Sequence, residues 1–415
     1  MANRIALTLV FTLSFGTYLM PELTVSVQIA PLALFAALVL VKVFFSPNLA
    51  SSLESLFTAE SLAFVFLLSL LIIAPAIQSE HSGSLAFSLM LALCLVLARL
   101  YMSLVPIQEV LEAFFWSGVV SVSVFLALAF TSLMEAIQTV SRFSVFSFHP
   151  NLLAFVLAGY FCVMIWKFVT AKWILKVISA LVGVLCLVVI FFASSRGSIL
   201  AIMGGCGAAV LLTVCRQPRE RRRKSVRLFV VSAVLLCAVA VYVPQLETVN
   251  NALEFTDQIL QVTHPQRGIE SGFTGRFDKW ELTLNALSDG SWIIGHGIRS
   301  SDSQEQLIDN SYLVMLYEIG IVPLILVCFR YVTVLGHFLR SYLKSRNEKR
   351  RLLHFSCTLL ILVFVTNNIV ARFLLSVGNP FSLMALLLFV TPTSMIVAKA
   401  AHPHPHFYGD SLAAR

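Results

Sequence analysis

Apolar runs of about 18 to 22 residues, continuous and nearly free of charge, recur along this chain and constrain it more than any other feature. A run of that length, wound as a helix, matches the roughly 30 Å hydrocarbon core of a bilayer. The residues within a run do not alternate in polarity over the ~10-residue segments of a membrane barrel, so helical spans are expected. Composition points the same way. Of 415 residues, 58% are hydrophobic and 12% charged, against about 25% charged in a soluble domain. Too few polar residues exist to cover a soluble globule of this size. The expectation is an all-α polytopic membrane protein.

Apolar spans are expected at 5–20, 24–45, 61–77, 84–105, 110–132, 150–168, 173–193, 198–215, 226–244, 309–329, 352–374 and 378–399, about twelve transmembrane helices in all. The first follows Met1-Ala2-Asn3-Arg4 and precedes no Ala-x-Ala site, so a retained anchor is expected. With twelve spans, 22 of the 29 Lys and Arg residues fall on the side of the termini and seven on the other. This bias predicts cytoplasmic termini. The chain then divides into residues 1–244 (nine spans), one large outer loop at 245–308, residues 309–399 (three spans) and a cytoplasmic tail at 400–415.

The loop is patterned. Leu246, Val249, Leu253 and Leu260 recur at helical spacing, and Phe277, Trp280, Leu284 and Leu287 share one face before Asp289-Gly290. Two amphipathic helices over the mouth of the bundle are expected. The eight cysteines form no Cys-x-x-Cys pair, so neither disulfides nor zinc are expected. The His402-Pro403-His404-Pro405-His406 tail admits a metal or a solvated reading, and the solvated one is preferred. The net charge of +8 reads as topology, with no nucleic-acid partner. No nucleotide-binding glycine loop and no outer Asp-x-Asp occurs, so neither ATP-driven work nor a divalent metal or other cofactor is expected.

The seven outer-side basic residues, Arg142, Arg196, Arg267, Arg276, Lys279, Arg299 and Arg372, run against the charge bias. Arg196 sits in the short link Ser194-Ser195-Arg196-Gly197-Ser198, Arg276 opens a loop helix, and Arg372 ends the eleventh span. Guanidinium forks suit phosphate oxygens, and the alternative for each is to reach lipid headgroups or pair with a loop carboxylate. Asp309, in Asp309-Asn310-Ser311-Tyr312-Leu313, is either a helix cap or a general base. Glu318, before Gly320 and Pro323, reads as a hydrogen bond across a helix break.

Four stretches, taken together, resemble the O-antigen polymerase and O-antigen ligase superfamily of bacterial envelope glycosyltransferases: His149-Pro150-Asn151; Ser194-Ser195-Arg196-Gly197; Gly275-Arg276 with Trp280 and Gly295-His296-Gly297; and Asp309 to Tyr312 with Glu318-x-Gly320. The likeness covers residues 150–325 in motif and the whole chain in layout. It implies a GT-C-like integral protein of the bacterial inner membrane whose active site faces the periplasm. The implied chemistry is metal-independent, inverting transfer of glycan from an undecaprenyl diphosphate-linked oligosaccharide, with membrane lipids and a chain-length regulator as further partners. Residue by residue, Arg196 and Arg276 match arginines that hold the donor diphosphate. Asp309 is the base, standing where the ligases carry a histidine, as is common in the polymerase branch. Arg372, Asn310, Tyr312, His149, Asn151, Trp280, His296 and Glu318 are the expected substrate-binding residues.

Three functions are therefore in competition: a polysaccharide polymerase for O-antigen or exopolysaccharide, a ligase to lipid A-core or protein, and a transporter or flippase. The last is disfavoured because the conspicuous charges gather at the outer mouth. The topology has a direct test. A single cysteine at Ser271, with the native cysteines replaced, is expected to label from outside in intact spheroplasts; labelling only after lysis would invert the loop.

Overall fold

The computed structural model describes residues 2–20, 25–45, 59–79, 83–143, 149–216, 247–261, 272–287, 290–303 and 309–392. The described residues form fourteen α-helices and a 3-10 turn, with no strand. In chain order these are α1 (Ala2–Leu19), α2 (Val25–Phe44), α3 (Ala59–Gln78), α4 (Ser84–Leu104), α5 (Ile107–Gln138), α6 (Pro150–Thr170) and α7 (Trp173–Phe192). There follow α8 (Arg196–Arg216), α9 (Glu247–Leu260), α10 (Gly272–Ala286), the turn Ser300–Ser303, α11 (Ser311–Ile319), α12 (Ile321–Lys344), α13 (Glu348–Asn367) and α14 (Pro380–Phe389).

Six of the described helices, α4, α5, α6, α7, α12 and α13, are long and apolar enough to cross a membrane. Shorter apolar stretches occur at Ile29–Phe44, Ala63–Gln78, Arg196–Leu212 and Pro380–Phe389. The protein is thus a polytopic helical membrane protein. The expected ninth span, Arg267, Ser271 and the histidine-proline tail lie outside the described residues.

Helix α6 runs through the middle of the bundle. Pro150 occupies its first turn, where a missing N–H costs no intrahelical bond, and its side chains are buried almost all round, as expected of a helix apolar on every face. Around it, α1 packs on α5, α13 on α8 and α12, and α14 is inserted among α13, α1, α4 and α6. Phe155 joins these helices, with ring centroids 5.2 Å from Phe381 and 5.8 Å from Phe364. Peripheral α7 instead leaves Trp173, Ile174, Leu181 and Val184 exposed, as suits a surface facing lipid. Helix α5, at 32 residues, is about 48 Å long and outreaches the hydrocarbon core.

Three expected spans differ from the structure. The span at 309–329 is two helices, broken at Gly320, and the second continues to Lys344. The span at 352–374 stops at Asn367, and residues 368–379 run without regular helix. Of the helix expected over 378–399, the described residues are helical over Pro380 to Phe389, with a turn at Val390, and residues 393–399 lie outside the described residues. Hydropathy sees apolar residues and is blind to these breaks, because each break satisfies its backbone inside the protein.

At Gly320 the satisfaction comes from residues 292–297. Ile321 N–H donates to the Trp292 carbonyl at 2.9 Å, His296 N–H to Tyr317 O at 2.9 Å and Gly297 N–H to Glu318 O at 2.7 Å. The backbones meet so closely that a Cβ on Gly295 would lie 2.6 Å from the Glu318 carbonyl oxygen, and one on Gly320 would run into the Ile293 carbonyl. At α14, two arginines do the same work. Arg330, expected in a cytoplasmic linker, lies inside α12 and donates to Phe389 O at 2.9 Å and Thr391 O at 2.7 Å. Buried Arg99 donates to Val390 O at 3.3 Å. These guanidiniums satisfy carbonyls that the end of the helix leaves over and meet its negative pole.

Gly320 has φ 83° and ψ 178°, a region essentially confined to glycine. Gly320→Ala is expected to destabilise the protein by about 1–3 kcal/mol. Gly320→Asn should be no better, since asparagine tolerates the left-handed helical region and not this one. Thermal unfolding of the detergent-purified protein checks both variants; a wild-type midpoint in either would mean that the clamp is not needed.

Candidate functional site

Where loop helices α9 and α10 pack on the bundle, against α7 and α11 respectively, two cavities adjoin. The smaller, about 70 Å³, is polar, and among its lining residues are His149, Asn151, Arg196, Arg276, Asp309 and Arg372. The larger, about 640 Å³, shares His149, Leu152 and Arg372 with it and is otherwise mostly apolar, with Arg299, Asp302 and Glu318 among its polar lining.

Each wall of the small pocket has a local cause. Arg142 Nε donates to Ala193 O at 3.1 Å and its Nη2 to Asn151 Oδ1 at 3.2 Å, tying the start of α6 to the end of α7. The chain then turns sharply through Ser194, which holds φ at +55°. Ser195 and Ser198 hydroxyls lie 3.1 Å apart, and Ser198 meets the Asn367 amide at 3.2 Å. Gly197 sits flat on Val370, leaving no room for a Cβ. Arg196 begins α8 and donates to the Gln261 carbonyl at 3.5 Å, reaching from the bundle to the end of loop helix α9. From α10, Arg276 approaches Asp309; burial pulls its guanidinium below the ordinary value, and attraction to that carboxylate opposes the shift.

Asp309 is not the helix cap. Asn310 caps α11, its Oδ1 accepting from Tyr312 N–H at 2.9 Å and Leu313 N–H at 3.2 Å, which leaves the Asp309 carboxylate to line the pocket. The next residue anchors the fourth wall. Ser311 Oγ lies 2.6 Å from Asn368 Oδ1 and 2.8 Å from Ala371 O, and accepts from Leu374 N–H at 3.2 Å. Residues 368–374 are so stitched to the start of α11 that Arg372 faces both cavities.

Six of the eleven residues singled out from the sequence therefore line one pocket, and five do not. Asn310 is turned to its own helix as a cap. Tyr312 donates its hydroxyl to Val365 O at 2.9 Å, across to α13. His296 packs at a tilt against Tyr317 with ring centroids 4.4 Å apart, so Gly295-His296-Gly297 serves the helix break rather than the pocket. Trp280 packs on Phe277, and its indole nitrogen is buried with no hydrogen-bond partner among the described residues. Glu318, 9% exposed, accepts from Ser301 Oγ at 2.5 Å and lines the larger cavity. Sequence reasoning gave no role to Arg142, Asn367, Asn368 or Asp302. The signal available was polarity within or beside apolar runs, which by itself does not separate a support from a site.

Three guanidiniums against one carboxylate give the small pocket an excess of positive charge, arranged for an anion with several oxygens.

Residues 181–328 match the O-antigen ligase family.

The match supports the resemblance to the O-antigen polymerase and ligase superfamily. It takes in Arg196, Arg276 and Asp309. Of the pocket's other walls, His149, Asn151, Asn367 and Arg372 lie outside the matched stretch and reach the pocket only through the fold. No curated relative matches the chain.

The capping assignment is testable apart from activity. Asn310→Ala is expected to lower stability by about 1 kcal/mol, the usual loss for a side-chain cap. Asp309→Asn should leave the thermal midpoint near wild type, and the opposite ranking of the two variants would return the cap to Asp309.

Proposed function

We propose that this protein is a polysaccharide polymerase of O-antigen or exopolysaccharide, transferring glycan from an undecaprenyl diphosphate carrier to the next lipid-linked repeat unit. The observation that carries the reading is the convergence of Arg196, Arg276 and Asp309 on one polar pocket beside a mostly apolar cavity of about 640 Å³. The same residues belong to the stretch that matches the O-antigen ligase family.

In the reaction, an acceptor hydroxyl attacks the anomeric carbon of the donor sugar from the face opposite the diphosphate, which inverts the configuration. A new C–O bond forms to the acceptor as the bond to the diphosphate oxygen breaks, and that oxygen keeps the electron pair. The hydroxyl proton passes to the Asp309 carboxylate. Negative charge grows on the leaving diphosphate, and Arg196 and Arg276, fixed by the α8 turn and by α10, stabilise it more in the transition state than in the ground state. Arginines in this role need no divalent ion. The active site faces the periplasm of the inner membrane in this reading.

The second reading, a ligase acting on lipid A-core, draws on the name of the matching family. Asp309 argues for the polymerase, since it stands where the ligases carry a histidine.

Arg196→Lys and Arg276→Lys keep charge and lose the fork. Each is expected to lower turnover by about 10²- to 10³-fold in assays of purified protein with lipid-linked repeat units. Asp309→Asn should cut the rate without weakening donor binding. Wild-type polymer from both lysine variants would refute the clamp, and a lipid A-core conjugate formed in place of lipid-linked polymer would favour the ligase.

A further inference from the structure

The transfer steps proposed above give no part to the ion cluster that lines the larger cavity. Its walls are mostly apolar, with Ile29, Leu32, Met90, Leu91, Leu152 and Met315 among them. At about 640 Å³ it is of the size that encloses most of a drug-sized ligand. Sugar hydroxyls placed against these apolar side chains would lose water and find few partners. A hydrocarbon chain would lose nothing.

At the mouth stands a three-membered ion cluster. Asp302, on the Ser300–Ser303 turn, pairs with Arg372, and its other oxygen lies 3.5 Å from Arg299 Nε. The Arg299 guanidinium rests 4.1 Å from the centre of the Phe87 ring, itself part of the cavity wall. Arg372 Nη2 also approaches Ser301 Oγ at 3.3 Å, and Ser301 donates to Glu318. The three charged side chains remain in reach of solvent, at 51% for Arg299, 36% for Asp302 and 21% for Arg372. The exposed pair of Arg299 with Asp302 contributes little to stability. A single carboxylate set between two guanidiniums at the mouth of an apolar cavity has the arrangement that a phosphate attached to a hydrocarbon chain would take up. A phosphate there would meet both guanidiniums with at least the charge of the one carboxylate it replaces.

We propose that Asp302 is a built-in stand-in for lipid phosphate: it occupies Arg299 and Arg372 when the cavity is empty and yields them to the phosphate of an isoprenoid lipid whose chain enters the cavity. Its return to the arginines then helps to release the lipid-side phosphate of the spent diphosphate, whose other phosphate is the one that Arg196 and Arg276 stabilise. The identity of the lipid rests on the polymerase reading; the exchange itself does not. Arg372, lining both cavities, puts the incoming phosphate beside the polar pocket.

The test uses the full chain in phosphatidylcholine nanodiscs, with farnesyl diphosphate as probe and with inorganic diphosphate and farnesol as separate arms. Removing the competing carboxylate with Asp302→Asn is expected to lower the half-saturating farnesyl diphosphate concentration about three- to fivefold, the scale of an exposed ion pair. Asp302→Glu should restore wild-type affinity. Arg299→Gln should weaken binding and cancel the gain from Asp302→Asn, because a specific exchange is non-additive where a diffuse charge effect would add. Met315→Trp, which narrows the cavity, should weaken farnesyl diphosphate and leave inorganic diphosphate unaffected. In turnover with lipid-linked repeat units, Asp302→Asn should lower KM and kcat together, with an initial burst, as product release slows. Equal affinity for inorganic and farnesyl diphosphate, or additive effects of Asp302→Asn and Arg299→Gln, would overturn the proposal. If wild-type protein transfers no glycan yet shows the binding pattern, the polymerase reading fails and the exchange stands. If it transfers glycan and Asp302→Asn binds no tighter, the exchange fails alone.

Discussion

Backbone polar groups inside an apolar bundle have to find partners within the protein, and this requirement governs the structure wherever a helix stops short. A continuous helix meets it alone. Each break calls in another part of the chain: residues 292–297 for the break at Gly320, Arg99 and Arg330 for the end of α14, Ser311 for the irregular stretch after α13. An unsatisfied group in such surroundings costs several kcal/mol, so these segments are held in place firmly.

Two of these breaks, at Gly320 and after Asn367, build the candidate site. Had the chain run as a helix through residues 309–329, there would be no Gly320 junction to hold residues 292–303. The 3-10 turn carrying Asp302 would then have no seat beside Arg372. Had α13 continued to residue 374, Arg372 would point from a helix side and not from a turn stitched to Ser311. Irregular backbone is tolerated within a membrane protein where it is buried or lines a cavity, and here it lines two. Functional groups thus stand on segments whose geometry is fixed by hydrogen bonds to the scaffold, which is what preorganised electrostatics demands.

Division of charge between the cavities gives them different chemistry. Arg196, Arg276 and Arg372 outnumber Asp309 in the polar pocket, which favours a polyanion. At the larger cavity Arg299 and Arg372 are already met by Asp302, so an anion gains its place there by exchange. Arg372 lines both.

Much was legible in the sequence. Apolar run length dictated a helical membrane protein, since length and continuity are properties of neighbouring residues. The arginines that run against the charge bias marked Arg196, Arg276 and Arg372, because a cation retained where topology gives no reason for it needs some other one. Asp309 was visible too, though not that its neighbour Asn310 would take the cap and leave the carboxylate to line the pocket. What only the tertiary structure decided were the relations between segments far apart in the chain: the helix breaks at Gly320 and after Asn367 and Phe389, the use of Gly295-His296-Gly297 as a clamp, the burial of Arg99 and Arg330 against the end of α14, and the pairing of Asp302 with Arg372. Hydropathy and local propensity register what a residue is and who stands beside it along the chain. The partners that make a broken helix stable, or turn a loop aspartate into the counter-ion of an arginine 70 residues away, are supplied by packing alone.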